Sequence, residues 1–510
     1  MKLKDILAEL PHRGVKGDAD PEISAVTYDS RQVKPGSMFV AIRGLRLDGH
    51  DYLADALARG AAAVVVEEVS PRAGPVPQIV VDDARRALAA AAAAFYRHPA
   101  EELAVVGVTG TNGKTTVSFL LESIFRAAGA KTALACTVKN VVAGLERRAR
   151  LTTGEAPEVQ AFLREAADAG ADVAVVEASS HGLALSRVAG IPLAAAVFTN
   201  LSHDHLDLHG DMDSYFRAKA SLFEQLREGA PAVINADDPY GRRLAASFAG
   251  RKVTYGASEG ASDYLVYDAS SGWGGLSFKV ACPDGSRVEL VSPLRGSFDV
   301  PNCAAAFAAG RELGVPVEAA REGIAETDEP PGRLELIEVN DELTVVIDYA
   351  HSPDSMDRAM VEIRRLPADR FVVVFGCSGN RDVEKRPKMG ALAWRYGDYV
   401  VITNEDPYYE DEEAIARDVA AGLIAEGASE PEDFRIILDR GEAVRFALSS
   451  AAPGERTVVA VMGKGHEDKL RVKGREFPYN DRETTDRLIA ELGLRSGGAR
   501  AARAEGRPGA

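Results

Sequence analysis

The stretch Gly107-Val-Thr-Gly-Thr-Asn-Gly-Lys-Thr-Thr116 decides how this chain is read. It follows the apolar run from Leu103 to Thr109, short and β-branched enough for a buried strand. It leads into Thr116 to Ala128, whose apolar residues recur at helical spacing up to Gly129. Strand, glycine-rich turn and helix in that order aim backbone N–H groups and the positive end of a helix at one point, which is how a phosphate chain is held. Lys114 would neutralise charge on the β- and γ-phosphates, and the Thr115 hydroxyl would face Mg²⁺. The loop departs from the strict GxxxxGK[ST] pattern, because Val108 stands at the first glycine position.

Upstream of this loop, Ser37 to Ile42 and Ala61 to Val66 read as strands around a helical stretch from Tyr52 to Ala58, a small α/β unit. The Ala-rich helix Ala84 to Tyr96 closes it ahead of His98-Pro99. Downstream, strands are predicted at Asp172 to Ala178 and Ala194 to Thr199, so the loop belongs to a largely parallel, helix-covered sheet. Between Tyr264 and Val291 short alternating strands with glycine turns read as a β-insertion. A second boundary falls at Pro330-Pro331-Gly332. Strand signals at Thr344 to Ile347, Phe371 to Phe375, Tyr399 to Ile402 and Thr457 to Val461, with a helix from Ser355 to Arg365, then mark a third α/β unit. The division expected is 1–99, 100–332 and 333–495, with a disordered tail at 496–510.

Bulk properties agree with a multidomain enzyme. At 510 residues the chain exceeds one core, given about 100–200 residues per domain. No apolar run approaches the roughly 20 residues needed to cross a bilayer. Met1 to Leu10 alternates charged and apolar residues, unlike a secretory signal, so a cytoplasmic location is expected. The net charge of −17 opposes binding to nucleic acid or anionic membrane. Cys136, Cys282, Cys303 and Cys377 form no CxxC pair and are expected as buried thiols.

Polar residues gather where strands end. Glu177-Ala-Ser-Ser-His-Gly182 follows one strand and Thr199-Asn-Leu-Ser-His-Asp-His-Leu-Asp-Leu-His209 another, both beyond carboxyl ends, where α/β sheets place ligands. Glu177 suits a hard Mg²⁺ ion, whereas His203, His205 and His209 suit a transition metal, so the composition leaves both open. Lys219, on a helix expected from Tyr215 to Leu226, reads by default as a solvated side chain. In the third unit, Asp348-Tyr-Ala-His-Ser-Pro-Asp354 and Gly376-Cys-Ser-Gly-Asn-Arg381 mark one sheet edge as a second binding face.

These motifs resemble the Mur ligases, and within them the type that adds the third amino acid. GTNGKTT would equally fit folylpolyglutamate synthetases. The narrower likeness rests on Asp29-Ser-Arg-Gln-Val-Lys-Pro-Gly36, FVAIRG, DGHDY, NLSHDHLDLHG and GKGHED, and runs from the first of these to Asp481-Arg-Glu483. It implies an N-terminal uridine-nucleotide domain, a central P-loop ATPase-like parallel sheet and a C-terminal Rossmann-like domain, in an enzyme expected to be monomeric. It also implies ATP as co-substrate, with Gly110, Thr111, Asn112, Gly113, Lys114, Thr115 and Thr116 at its phosphates and Asn302, Arg333 and Asp348 at adenine or ribose. Ser30, Thr152, Thr153, Ser179 and Arg187 would meet a UDP-muramyl dipeptide. Ser378, Gly379, Asn380, Arg381, Gly463 and Glu467 would meet the incoming amino acid. Glu177 and His205 resemble the family's Mg²⁺ ligands, and Lys219 matches the lysine it converts to N6-carboxylysine. Asp299 departs from the family, which usually has asparagine there.

The family's diaminopimelate users carry D-N-P-R at the selectivity motif, where this chain has Glu405-Asp-Pro-Tyr408. Tyr408 removes a bidentate carboxylate partner, and Glu405 and Asp406 add acidity, so L-lysine or L-ornithine is expected rather than meso-diaminopimelate. A folylpolyglutamate synthetase should lack the N-terminal DSR unit. A silent, scaffolding homologue need not retain Lys114, Thr115, Glu177, His205 and Lys219 together.

Overall fold

The computed structural model describes residues 1–17, 19–44, 47–204 and 206–495, and only the backbone at 206 and 207. The expected metal ligand His205 and the expected tail at 496–510 lie outside the described residues. Among the described residues the strands form three large sheets and one hairpin.

The first sheet runs in space Gly14–Lys16, Gln78–Val80, Ala63–Val66, Ser37–Val40 and Ala25–Thr27, parallel apart from its first pair. The loop-bearing strand Ala104–Thr109 lies in the middle of an eleven-stranded sheet, paired in parallel with Val173–Glu177 on one side and Ala195–Phe198 on the other. All but its first residue are buried, the burial expected where helices cover both faces. The helix Lys114–Ala127 turns Val117, Leu121 and Phe125 into one face's core, and Tyr215, Phe216 and Phe223 fill the other. The strands Tyr264–Gly272, Gly275–Ala281 and Arg287–Ser292 form the expected β-insertion and continue the same sheet at its edge. An unforeseen hairpin, Lys139–Val142 with Leu145–Arg148, extends the opposite edge.

The third sheet is ordered Glu335–Glu338, Leu343–Asp348, Thr457–Met462, Arg370–Phe375, Tyr399–Ile402 and Phe434–Ile436, parallel except for its first pair. The helix expected through Leu226 spans Met212–Ala220 and gives way to a single 3₁₀ turn, Phe223–Gln225. All four cysteines are free and buried. No described helix is long and apolar enough to cross a membrane.

Candidate active site

The nucleotide loop owes its shape to two glycines. Gly113, at φ +83°, enters the helix with the Asn302 amide standing where a side chain would be, and a side chain on Gly110 would strike the Thr199 hydroxyl. The Thr111 N–H donates to the Asn200 carbonyl at 2.8 Å and the Asn112 N–H to Asn200 Oδ1 at 2.9 Å, so the ends of neighbouring strands brace the loop. Lys114, partly buried, folds back on the Thr111 carbonyl at 2.9 Å, and burial pulls its pKa down. Thr115 and Thr116 lie buried in the first helical turn.

Glu177, 1% exposed, ends the adjacent strand. Its carboxylate accepts from Thr115 Oγ1 at 3.1 and 3.2 Å, from the Thr137 N–H at 2.8 Å and from Thr137 Oγ1 at 2.9 Å. Its backbone carbonyl accepts from Thr153 Oγ1 at 2.8 Å, and Thr153 bonds Ser179 Oγ at 3.1 Å. Thr137 Oγ1 also lies 3.1 Å from Thr152 Oγ1, and Arg187 donates to the Thr153 carbonyl at 3.0 Å while pairing with Glu155 at 2.7 Å. The nucleotide loop and four of the five residues expected at the dipeptide thus meet around one buried carboxylate. The fifth, Ser30, is buried in the N-terminal turn capped by Asp29. Burial and the neighbouring Glu158 and Glu155 push nearby Tyr28 up to about 12.

Lys219 overturns the expectation of a solvated side chain. It is 1% exposed, donates to the Gly110 carbonyl at 2.5 Å and lies 4.8 Å from the Tyr215 ring centre. Burial, reinforced by the Lys114 charge, lowers its pKa well below the ordinary lysine value despite Asp204 and Glu177. The three-histidine reading does not assemble among the described residues. His203 is 62% exposed and 3.8 Å from Asp382, while His209 stacks on Tyr215. No described group of three or more His, Cys, Asp or Glu side chains is placed to hold a metal. A Thr hydroxyl beside a carboxylate is instead a hard oxygen set, which fits Mg²⁺ because that ion keeps waters and substrate phosphates among its ligands.

Across from the loop, Asn302 donates to Asp299 Oδ1 at 2.9 Å, and burial raises the Asp299 carboxyl to about 7. Asp348 accepts from the Leu334 and Ala350 N–H groups at 2.8 and 2.7 Å; burial raises its pKa and the Arg333 charge opposes this. The Arg333 guanidinium lies over the Tyr349 ring at 4.5 Å, and Tyr349 donates to Glu467 at 3.3 Å. The Gly463 N–H donates to the Asp348 carbonyl at 2.9 Å, which joins the expected ribose and amino-acid pockets.

In that second pocket, Ser378 donates to Glu405 Oε1 at 2.5 Å, whereas Glu405 Oε2 is buried with no hydrogen-bond partner among the described residues. The Gly379 N–H donates to the Asp406 carbonyl at 2.8 Å, Asn380 has φ +53°, and Arg381 lies 5.9 Å from the Tyr408 ring. The expected acidity of Asp406 is corrected: Lys464 at 3.0 Å and Arg471 at 2.9 Å compensate it. Tyr408, at φ +52°, donates its N–H to the Arg471 carbonyl at 3.0 Å. Thr137 and Arg471 were missed because nothing local distinguishes them, whereas Lys464 lies inside the GKGHED motif and only its pairing with Asp406 was unforeseen.

A sheet that is parallel at its centre and carries a strand, glycine-rich loop and helix, beside a second α/β unit, defines the class as a nucleotide-using enzyme. Known proteins narrow it. The Mur ligase middle domain matches residues 108–310, the Mur ligase glutamate ligase domain 332–465, and the Mur ligase family catalytic domain 22–96. The UDP-N-acetylmuramyl-tripeptide synthetase of Roseiflexus sp. (strain RS-1) is 42% identical, over 97% of this chain and 99% of its own length. The UDP-N-acetylmuramoyl-L-alanyl-D-glutamate–2,6-diaminopimelate ligase of Geobacillus kaustophilus (strain HTA426) is 39% identical, over 97% and 100%. A solved structure of a ligase of that second name superposes with a TM-score of 0.62 at 30% identity, covering 92% of this chain and 95% of the other. The folylpolyglutamate synthase of Mycobacterium tuberculosis complexed with ADP and AMPPCP, at 21% identity, covers 74% of this chain and shares the fold alone. The chain belongs to the Mur ligase family, and it is a ligase of that ATP-using kind.

Proposed function

We propose that the protein joins a diamino acid to the terminal carboxylate of UDP-N-acetylmuramoyl-L-alanyl-D-glutamate at the expense of ATP, with L-lysine or L-ornithine preferred over meso-diaminopimelate. The observation that carries the ligase reading is the position of Glu177, hydrogen-bonded to Thr115 of the nucleotide loop and, through Thr137 and Thr153, to the group containing Thr152, Ser179 and Arg187. Carboxylate and triphosphate would meet there. A carboxylate is a poor acyl donor, so transfer of the γ-phosphoryl group makes an acyl phosphate, and the amine then displaces phosphate. Lys114 offsets charge on the transferring group and the braced loop orients it. Mg²⁺, when bound, would add charge neutralisation, held by the Thr115 hydroxyl, Glu177, His205 and a carbamate on Lys219. A depressed lysine pKa favours that carbamate, because the neutral amine attacks CO₂ and releases a proton. Gly110 to Thr116, Asn302, Arg333 and Asp348 form the ATP site in this reading, and Ser30 meets the uridine nucleotide. The substrates are charged small molecules, consistent with a monomer acting in the cytoplasm.

The amino-acid preference rests on Glu405, whose unpartnered buried oxygen suits an ammonium group, and on Tyr408 where diaminopimelate users carry arginine. Ser378 to Arg381, Asp406, Gly463 and Glu467 complete the pocket. Arg471 is engaged by Asp406 and Glu476, so a distal carboxylate would compete for it. The diaminopimelate reading keeps support from the names of relatives at 37–40% identity. Competition of L-lysine, L-ornithine and meso-diaminopimelate decides between them. Leaving one carboxylate unpaired costs about 1–3 kcal/mol, so diaminopimelate is expected at roughly one-fifth to one-hundredth of the lysine kcat/KM. Preferential turnover of diaminopimelate overturns the preference.

A further inference from the structure

The helix Pro353–Ile363 of the C-terminal unit meets the middle unit at both of its ends. At the first, Asp354 Oδ2 accepts from Asn112 Nδ2 of the nucleotide loop at 3.1 Å and from Ser202 Oγ at 3.2 Å. At the other, buried Glu362 accepts from the Ser297 N–H at 3.1 Å, just ahead of the helix that bears Asn302, and its backbone carbonyl accepts from Trp273 Nε1 at 3.3 Å. Eight residues of helix span about 12 Å, so one stiff element bridges the phosphate and Asn302 ends of the nucleotide site.

Helix capping does not account for Asp354. Ser352 already caps this helix with Ser355 in a reciprocal box, and Pro353 pre-sets its first turn. An acidic residue in the first turn complements the helix dipole without needing Asn112 or Ser202. The backbone of Asn112 is independently fixed, its N–H by Asn200 and its carbonyl by Thr199 at 2.6 Å, which leaves its side chain to reach across.

We propose that Asp354 is a positioning residue for ligation: by binding Asn112 and Ser202 it seats the C-terminal unit, and the amino-acid pocket it carries, in register with the nucleotide loop. This rests on the ligase reading above. Amine attack needs the two units closely aligned, whereas nucleotide binding draws on the loop and Asn302 and, from the C-terminal unit, only on Arg333 and Asp348.

The test compares full-length wild type with Asp354→Ala, Asp354→Asn and Ser202→Ala/Asp354→Ala by steady-state kinetics, melting and small-angle scattering. Asp354→Ala is expected to lower kcat about tenfold, to leave KM for ATP within about threefold and the melting temperature unchanged, and to enlarge the radius of gyration. Asp354→Asn, which keeps an acceptor oxygen, recovers most of the rate, and the double variant loses no more than Asp354→Ala. Wild-type kcat in Asp354→Ala, or scattering identical to wild type, overturns the proposal. If wild type itself fails to release phosphate from ATP, the ligase reading falls, and the scattering comparison still decides whether Asp354 seats the domain.

Discussion

Two lysines are buried to almost the same degree and meet opposite fates. Lys464, in the C-terminal unit, faces Asp406 at 3.0 Å and also pairs with Glu467; burial pulls its pKa down, but the two carboxylates outweigh this and raise it. Lys219, in the middle unit, bonds the Gly110 carbonyl and stands near Lys114, and its pKa falls well below the ordinary value. Burial alone therefore does not set the state of a cation: local charge decides between a structural ammonium and a reactive amine. The first arrangement ties Asp406 to Glu467 through one ammonium, and in the proposed function the second would leave a neutral amine able to take up CO₂ beside the nucleotide loop.

The largest effect should come from breaking the reactive member. Lys219→Met, close to isosteric, is expected to cut ligation about 10³-fold while leaving the fold intact, checked by phosphate release and circular dichroism. Labelling with [¹³C]bicarbonate sharpens the contrast: one carbamate resonance is expected in wild type and in Lys464→Met, and none in Lys219→Met. Next comes the structural member. Lys464→Met removes the cation shared by Asp406 and Glu467, leaving Arg471 on the first and Tyr349 on the second, and should destabilise the C-terminal unit by about 1–3 kcal/mol, visible in a denaturant melt; no change in midpoint would mean the carboxylates rearrange at no cost.

The smallest effect concerns Asp299. Its folded pKa of about 7 lies above the ordinary 3.8, so between these values the folded state holds the extra proton and stability falls as pH rises. Asp299→Asn removes that loss. It should raise the melting temperature by about 2–4 °C at pH 8 and little at pH 4, and a gain independent of pH would show that the carboxyl titrates elsewhere.

The nucleotide loop was legible because strand, turn and helix are contiguous and each obeys local rules. Glu177 was legible for a related reason, as the polar residue ending an apolar run. The burial of Lys219 was not, since it depends on a helix packing beneath a loop 109 positions earlier in the chain. Likewise the compensation of Asp406 comes from Lys464 and Arg471, 58 and 65 positions away: Lys464 stands in the GKGHED motif, but its long-range pairing is not encoded there, and Arg471 lies in no motif. The strands from 264 to 292 were recognised as strands, but joining the central sheet is a matter of edge pairing, which periodicity does not encode. In the proposed function the third amino acid's identity rests on Tyr408 and Glu405, which were visible in the sequence, whereas the Arg471 that engages Asp406 was not.

The most direct test of the ligation chemistry is phosphate release from ATP by wild type and Lys114→Ala, with UDP-muramyl dipeptide and a diamino acid supplied. Wild type should release one phosphate for each amide formed and none when the dipeptide is omitted, while Lys114→Ala, folded, should release essentially none. Near-normal release by Lys114→Ala, or wild-type release indifferent to the dipeptide, would contradict a reaction carried out over the nucleotide loop.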